Sequence, residues 1–356
     1  MSDQIKVLVV DDSAFMRRVI TDMLQSSPLI TVVGTARNGQ DGLEKAHRLR
    51  PDLITLDIEM PVLDGLSVLP KLLNELNCPV IMLSSHTREG AQATLDALEL
   101  GAMDFVPKPA QDLVWDITKI RDDLVSKVIS AMKAHLPLRR IVVPERPIIS
   151  PKAAQGIAGR AVDGPVRCLV AIGASTGGPQ ALQTVLTGLD SAIPASFLVV
   201  QHMPPRFTKS LAQRLDSLCQ LTVDEAEDGD IIREGRVLIA KADWQMTVVS
   251  EGGVLKTRLL QTPPISGHRP SVNALFTSLP AANPARVIAV VLTGMGNDGS
   301  AGVVAVKEAG ATVLAEDAST AVINGMPKAA VQTGCVDYVV PLHEISGLIT
   351  RLVMGG

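Results

Sequence analysis

The chain of 356 residues has few aromatic side chains, with five Phe, two Trp and one Tyr, and it has no excess of basic residues. Lys and Arg together number 33 against 37 Asp and Glu, which leaves a net charge of −4. Nucleic-acid binding usually depends on a basic surface and on aromatic side chains that stack on bases. We therefore expect no nucleic-acid partner.

Long apolar runs are also missing. No stretch approaches the roughly 20 apolar residues that cross a bilayer, and the N-terminal MSDQIKVLVVDDS has an acidic residue where a secretory signal needs basic ones. The four cysteines (Cys78, Cys168, Cys219 and Cys335) lie far apart without a CxxC pair, so neither a disulfide framework nor a zinc site is indicated. We expect a cytoplasmic protein without direct membrane insertion.

The apolar pattern divides the chain into two domains joined by a linker. Residues 1–130 alternate five apolar runs with helical segments, and residues 166–356 repeat this alternation. Residues 131–165 lose the periodicity and contain five prolines, which is typical of a linker. Continuously apolar strands separated by helices predict parallel sheets covered on both faces. The fold class is therefore α/β in both domains, with a doubly wound, mainly parallel sheet in the second.

One segment of the second domain has a different pattern. The sequence QMTVVSEGGVLKTRLL, residues 245–260, has two strand-like halves around Gly252 and Gly253. Two glycines between such halves predict a tight β-hairpin.

Acidic residues end two of the apolar runs in the first domain. Asp11 and Asp12 follow the first run and Asp57 ends the third, while Ser84 ends the fourth and Lys108 follows the fifth. Parallel strands end at one edge of the sheet, so these carboxylates are expected to lie together and to attract Mg²⁺. A carboxylate beside Mg²⁺, a hydroxyl and an ammonium group can accept a phosphoryl group. The alternative is that each acid only caps a helix.

The second domain contains the sequence AIGASTGGP, residues 171–179, directly after an apolar run. Its glycines do not match the dinucleotide fingerprint GxGxxG, and no GK[ST] of a P-loop is present. The spacing of Gly173, Ser175 and Gly177 fits GxSxG, in which a sharp turn between strand and helix exposes a nucleophilic serine. Such turns also occur without catalysis, so Ser175 needs a base nearby.

Three histidines in this domain are candidates for that base. His202 ends the next apolar run and should reach the same sheet edge as Ser175, whereas His268 lies in a loop and His343 opens the last helix. Asp298 follows another apolar run and could orient the base, although capping a helix is its competing role. The order Ser, His, Asp differs from the order Ser, acid, His of α/β-hydrolases, so a different fold is expected.

Residues 1 to about 125 resemble response-regulator receiver domains, through the Asp pair at 11–12, LDIEMPVLDG around Asp57, Ser84 and the Lys-Pro at 108–109. The resemblance implies a flavodoxin-like fold with a five-stranded parallel sheet. It also implies these roles: Asp57 as the phosphorylated residue, Asp11, Asp12, Asp57 and the backbone carbonyl of Glu59 as the Mg²⁺ ligands, and Ser84 and Lys108 as the switch residues.

Residues 166–356 resemble the catalytic domain of the chemotaxis protein-glutamate methylesterases. The segments IGASTGGP, QHMPPRFT, GHRPSVNALF and LTGMGNDG carry this likeness. The resemblance implies that Ser175 is the nucleophile, His202 the general base and Asp298 the group that orients it, with oxyanion contacts near Thr176 and Met295. Asn273 stands where we expect the family to favour an acid, so an ion pair at that position is not expected.

The combination predicts a phosphorylation-activated serine esterase. It would hydrolyse glutamate γ-methyl esters on the cytoplasmic part of methyl-accepting chemoreceptors, release methanol, and deamidate glutamines by the same attack. A chemotaxis histidine kinase would supply the phosphoryl group, and the ester hydrolysis itself would need no cofactor. The alternatives are a DNA-binding response regulator, which the α/β pattern and acidic balance disfavour, and a receptor-binding module that has lost catalysis.

Overall fold

The computed structural model describes residues 4–85, 87–109, 117–133 and 166–355. They form two α/β units, which we call the N-terminal unit (residues 4–133) and the C-terminal unit (residues 166–355). From position 134 onward the predicted linker lies outside the described residues, so the domain boundaries stay predictions. None of the described helices is both long and apolar enough to span a bilayer.

The N-terminal unit has a five-stranded sheet in the order β2-β1-β3-β4-β5, and every neighbouring pair is parallel. This is the flavodoxin-like order, as predicted. Its elements, in chain order, are β1 (Ile5–Val10), α1 (Ala14–Gln25), β2 (Ile30–Ala36), α2 (Gly39–Leu49), β3 (Leu53–Asp57), α3 (Gly65–Leu76), β4 (Val80–Ser84), α4 (Arg88–Glu99), β5 (Asp104–Pro107) and α5 (Ile117–Lys133).

Burial and capping explain why these residues form these elements. Every residue of β3, β4 and β5 is buried, as expected for parallel strands covered on both faces. The first four helices each begin after a side chain that accepts a backbone N–H three residues further on, which satisfies a donor that the helix cannot. These caps are Ser13, Asn38, Asp64 and Thr87.

The C-terminal unit has a seven-stranded parallel sheet in the order β14-β13-β12-β6-β7-β9-β8 and a separate antiparallel hairpin. Its elements are β6 (Leu169–Ala174), α6 (Gly178–Thr187), β7 (Ser196–Gln201), α7 (Phe207–Leu218), β8 (Thr222–Glu225), β9 (Arg236–Ile239), β10 (Gln245–Glu251), β11 (Val254–Leu260), α8 (Val272–Ala282), β12 (Val287–Val291), α9 (Ser300–Glu308), β13 (Thr312–Glu316), α10 (Met326–Gln332), β14 (Tyr338–Val340) and α11 (Leu342–Met354).

This architecture confirms the predicted fold class of the C-terminal unit. In the hairpin, Glu251 pairs with Val254 around Gly252 and Gly253, whose positive φ angles of 60° and 81° are those that a tight hairpin turn requires. Strand β8 and helix α10 have only weak signals in the sequence. The edge strand β8 has the sequence TVDE with a single apolar residue, and α10 is only seven residues long, so neither has a clear periodicity.

The two units contact each other over an apolar and charged interface. One cluster of buried apolar side chains includes residues of both units, and the rings of Phe105 and Phe207 stack across the boundary with centroids 4.6 Å apart. At the same interface Arg214 of α7 contacts two acids of α4, Asp96 at 2.7 Å and Glu99 at 3.0 Å. Helix α4 and strand β5 thus rest against the C-terminal unit.

Candidate active site and phosphorylation site

Ser175 lies immediately after β6, in a turn that only small residues allow. Gly177 at the start of α6 has a φ of 77°, a left-handed conformation that glycine adopts without strain. At Gly173 a Cβ atom would lie 2.4 Å from Cγ1 of Val272. The backbone N–H of Ser175 donates to the carbonyl of Thr293 at 3.0 Å. The turn is therefore fixed against the end of β12, and the GxSxG glycines are explained by its geometry.

His202 follows β7, the strand next to β6. Its backbone N–H donates to the carbonyl of Ala174 at 3.1 Å, so the His202 backbone lies beside the residue that precedes Ser175. The buried side chain of Gln201 donates through Nε2 to the carbonyls of Ser175, at 2.8 Å, and His202, at 3.1 Å. Gln201 thereby ties the two segments together.

Asp298 follows β12 and is 1% exposed. Its carboxylate accepts five hydrogen bonds: from Nε2 of His202 at 2.8 Å, Oγ of Ser271 at 2.8 Å, and the backbone N–H groups of Val272 at 2.7 Å, Asn273 at 3.1 Å and Gly299 at 3.0 Å. The last three belong to the N-terminal ends of α8 and α9, where anions are favoured. Burial alone would raise the pKa of Asp298, but the hydrogen bonds from His202 and Ser271 outweigh it and the pKa is lowered.

The other nitrogen of His202, Nδ1, is buried and has no hydrogen-bond partner among the described residues. The ring of His268 stacks on that of His202, with centroids 3.9 Å apart and planes inclined by 6°. Burial, followed by the nearby His202, lowers the pKa of His268 to about 4. His268 is therefore neutral at neutral pH. Ser175 is partly exposed, and its hydroxyl forms no hydrogen bond with another described residue.

The position of these residues follows from the sheet topology. The chain adds β7, β9 and β8 on one side of β6, and β12, β13 and β14 on the other. Ligands of open α/β sheets bind at this kind of switch point, outside the carboxyl ends of the strands. Ser175 and Asp298 follow the two strands that meet there, and His202 follows the next strand.

The two residues implied for the oxyanion contacts also lie at this edge. The backbone N–H groups of Thr176 and Met295 donate to no other described residue. Gly294, beside Met295, lies so close to Ser175 that a Cβ at Gly294 would be 2.8 Å from the Ser175 Cβ. The segment after β12 therefore packs directly on the Ser175 turn.

In the N-terminal unit, carboxylate oxygens of Asp11, Asp12 and Asp57 lie within 4.8 Å of one another. Hard oxygen donors at this spacing fit Mg²⁺. Lys108 contacts Asp11 at 2.8 Å and Asp57 at 2.7 Å. Burial raises the pKa of Asp57 to about 6, against the opposing effect of Lys108. Glu59 is exposed and its N–H contacts Asp57 Oδ1 at 3.4 Å, whereas metal binding by its carbonyl stays a prediction.

Ser84, the predicted switch residue, is buried and turned toward α4. Its hydroxyl bonds to Oγ1 of Thr94 at 2.6 Å and to the carbonyl of Gly90 at 3.3 Å. Its backbone carbonyl accepts the N–H of Lys108 at 2.8 Å. Ser84 therefore connects the lysine at the acidic cluster with the helix that contacts the C-terminal unit.

A second connection reaches the Ser175 turn itself. Oγ1 of Thr176 donates to Oδ2 of Asp104, at the start of β5, at 2.5 Å. Lys127 of α5 contacts the other oxygen of Asp104 at 3.3 Å. Gln180 of α6 donates to the carbonyl of Leu98 at the end of α4. The N-terminal unit thus contacts the residue next to Ser175.

Several residues of this site were missed or left open by the sequence. Gln201 could have been noticed as a polar side chain at the end of a buried apolar strand, whereas Asp104 gives no signal because its partner lies in the other unit. Asn273 forms no ion pair; its Oδ1 accepts the N–H of Gly302 at 2.8 Å. The His343 side chain is 70% exposed on α11.

The fold and the site define a two-domain response regulator whose output domain is an α/β enzyme. Residues 170–349 match the family model described as CheB methylesterase, and residues 7–117 match that of the response regulator receiver domain. The chain belongs to the CheB methylesterase family.

Similar proteins include two that carry the name protein-glutamate methylesterase/protein-glutamine glutaminase. The one from Geobacillus kaustophilus is 48% identical over 98% of this chain and 99% of its own length, and the one from Symbiobacterium thermophilum is 49% identical over the whole of both chains. The crystal structure of the Thermotoga maritima CheB methylesterase catalytic domain is 43% identical, with a TM-score of 0.51, and covers 52% of this chain and 97% of that one.

Proposed function

We propose that this protein hydrolyses glutamate γ-methyl esters on methyl-accepting chemoreceptors, and deamidates glutamines there, under the control of phosphorylation at Asp57. The observation that carries the esterase proposal is the pairing of His202 Nε2 with a carboxylate fixed by four further donors, which leaves Nδ1 as the nitrogen able to take a proton. The names of the full-length relatives support the substrate class.

In the proposed mechanism, Oγ of Ser175 attacks the ester carbonyl while Nδ1 of His202 accepts the hydroxyl proton. The positive charge that forms on the ring is stabilised by Asp298, which remains ionised because its pKa is lowered. The protonated His202 then gives its proton to the departing methoxy group, so that methanol leaves and Ser175 carries the acyl group. Water, deprotonated by the same nitrogen, releases glutamate. With a glutamine, ammonia takes the place of methanol.

The tetrahedral intermediate carries a negative oxygen, and the N–H groups of Thr176 and Met295 are the proposed donors to it. Both N–H groups lack a partner among the described residues, so neither has to give up a bond to receive the oxyanion. Removal of one such donor typically lowers kcat about 10²- to 10³-fold.

The regulatory half of the proposal begins at Asp11, Asp12 and Asp57. These oxygens would hold Mg²⁺, which neutralises charge on the phosphoryl group during its transfer from a histidine kinase. Lys108 and the Ser84 hydroxyl would turn to the new phosphoryl oxygens, and the hydroxyl would leave Thr94 and Gly90 of α4. The altered α4 would weaken the contacts with Arg214 and the Asp104–Thr176 bond, and open Ser175 to a receptor helix.

The test is methanol release from methylated receptor membranes by the wild-type protein and by Ser175→Ala, each with and without a small phosphoryl donor and Mg²⁺. We expect release that requires Ser175 and rises with the donor. Release that is unchanged in Ser175→Ala would contradict the nucleophile assignment. Receptor binding without any methanol release from either protein would instead favour a binding module that has lost catalysis.

A further inference from the structure

A second buried acid lies behind the Ser175 turn and is not part of the proposed triad. Glu316 ends β13 and is 1% exposed. Its Oε2 accepts the backbone N–H of Thr293 at 2.8 Å, and its Oε1 accepts the hydroxyl of Thr320 at 3.1 Å. Among the described residues no Lys, Arg or His forms an ion pair with this carboxylate. The acid is therefore bound only by neutral donors.

Thr293, which Glu316 holds, is bonded to both residues of the Ser175 turn that the mechanism uses. Its carbonyl accepts the N–H of Ser175 at 3.0 Å, and its hydroxyl donates to the carbonyl of Thr176 at 2.9 Å. The hydroxyl oxygen also accepts the N–H of Ile323 at 2.9 Å. Thr293 is 1% exposed, so water does not offer substitutes for these bonds.

The chain continues from Thr293 directly into the other side of the proposed oxyanion site. Gly294 follows and accepts the N–H groups of Gly325 at 3.0 Å and Met326 at 2.8 Å, and Met295 comes next. Thr293 is consequently the point at which the two segments that carry the Thr176 and Met295 N–H groups are joined. A displacement of Thr293 would alter the distance between these donors and Ser175.

We propose that Glu316 is a positioning residue for the esterase reaction, which acts through Thr293 to keep Ser175 and the two oxyanion donors in register. This inference rests on the proposed function and adds a residue that touches neither substrate nor the reacting atoms. The unusual placement of Glu316 supports it. Burial raises its pKa to about 7, so an ionised acid is unfavourable here and a side chain without a specific task would be better apolar.

The decisive comparison is between Glu316→Gln and Glu316→Asp in the full-length protein with the phosphoryl donor and Mg²⁺. Gln has the same length and keeps an oxygen that accepts the Thr293 N–H, although it has no charge. Asp keeps the carboxylate but is one methylene shorter, so its oxygen withdraws from Thr293. We expect kcat to fall about 10²-fold in Glu316→Asp, since a misplacement of about 1 Å has this effect, with an almost unchanged KM. Glu316→Gln should retain a kcat within roughly threefold of the wild type.

Asp337→Glu is the matched control, because Asp337 also accepts a backbone N–H, that of Val313 at 2.8 Å, at the opposite end of β13 from Glu316. Asp337→Glu also moves a carboxylate by one methylene, and we expect it to leave kcat unchanged. The rate of Ser175 labelling by a fluorophosphonate gives a second readout, which should fall with kcat in Glu316→Asp. Circular dichroism and gel filtration identify any variant that does not fold.

Equal kcat values for Glu316→Asp and the wild type would overturn the proposal. It would also be overturned if Glu316→Gln lost as much activity as Glu316→Asp, because the charge would then matter and not the position of the acceptor. Should Glu316→Asp fail to fold, a folded Glu316→Gln with strongly reduced kcat still counts against the proposal, and one with full kcat supports it. Ser175→Ala in the same assay tests the proposed function separately. If the proposed function is wrong, Ser175→Ala releases methanol at the same rate as the wild type.

Discussion

Each unit carries buried carboxylates at the carboxyl edge of a parallel sheet, but the two edges treat the charge in different ways. In the C-terminal unit, Asp298 accepts five hydrogen bonds, three of them from backbone N–H groups at the N-terminal ends of α8 and α9. In the N-terminal unit, Asp11 and Asp57 share the ammonium group of Lys108, which sits on a flexible side chain. The first carboxylate is bound from several directions, whereas the second shares a single cation with its neighbour.

The pKa values of Asp298 and Asp57 also differ. Burial acts to raise both, yet the pKa of Asp298 is lowered and that of Asp57 is raised to about 6. The difference comes from the partners, because the hydrogen bonds from His202 and Ser271 outweigh the effect of burial at Asp298, whereas Lys108 does not outweigh it at Asp57. The proposed catalytic site and the proposed phosphorylation site thus differ in how completely their acids are hydrogen bonded.

The largest effect is expected from removing the negative charge of Asp298. In Asp298→Asn, the carboxamide no longer stabilises a protonated His202, so we expect kcat for methanol release to fall about 10⁴-fold. Asp216→Asn is the control, since Asp216 also accepts a backbone N–H, that of Val223, at 3.0 Å. A loss below about tenfold would mean that the charge of Asp298 is dispensable, and the comparison between the two edges would fail.

The second-largest effect is expected at Asp57, the proposed phosphorylation site. Asp57→Asn should keep the activity that the protein shows without a phosphoryl donor and should lose the stimulation by the donor, which we expect to be about 5- to 150-fold. Removing Mg²⁺ with a chelator should abolish the same stimulation in the wild type. Asp52→Asn is the control, because the Asp52 carboxylate accepts the Lys6 N–H at the other end of the sheet. This variant should retain the stimulation by the donor. Stimulation that persists in Asp57→Asn would assign the phosphoryl group to another residue.

The sequence predicts which residues lie at the strand ends of each site, but not the contacts between distant segments. Ser175, His202 and Asp298 each end an apolar run, and parallel strands bring such ends to one edge. The five donors to Asp298 come from segments whose approach depends on how α8 and α9 pack, and no spacing encodes it. The His202–His268 stack and the Asp104–Thr176 bond were inaccessible for the same reason, because they join a strand end to a loop and one unit to the other.

A smaller effect is expected at the contact between the units. Asp104→Ala removes the acceptor of the Thr176 hydroxyl, so the closed arrangement loses about 1 kcal/mol and activity without donor should rise roughly fivefold. Asp123→Ala is the matched control, because Asp123 also contacts Lys127, at 3.2 Å, but does not touch Thr176. Equal activity of Asp104→Ala and the wild type without donor would show that this bond does not help the N-terminal unit to restrict access to Ser175.

The smallest effect is expected on the pH dependence of stability, through the buried imidazole of His268. The pKa of His268 is about 4 in the folded protein, below its ordinary value of 6.5, so the unfolded chain binds more protons between these limits. The wild type should therefore lose stability as the pH falls from about 6.5 toward 4. His268→Gln should lose less over the same range in urea unfolding monitored by circular dichroism. Parallel pH curves for the two proteins would contradict the buried, neutral state of His268.

The central pairing of β6 with β12 has a consequence for the time at which the enzyme first becomes active. Ser175 follows one of these strands and Asp298 the other, and most of the C-terminal unit is synthesised between them. Contacts between such distant segments form late in folding, because a long loop must be closed first. A chain still emerging from the ribosome has the proposed nucleophile but not the carboxylate that we propose orients the base. On the proposed mechanism, catalytic competence therefore arises only after Asp298 has been synthesised and most of the sheet has formed, when the N-terminal unit, synthesised first, is already present.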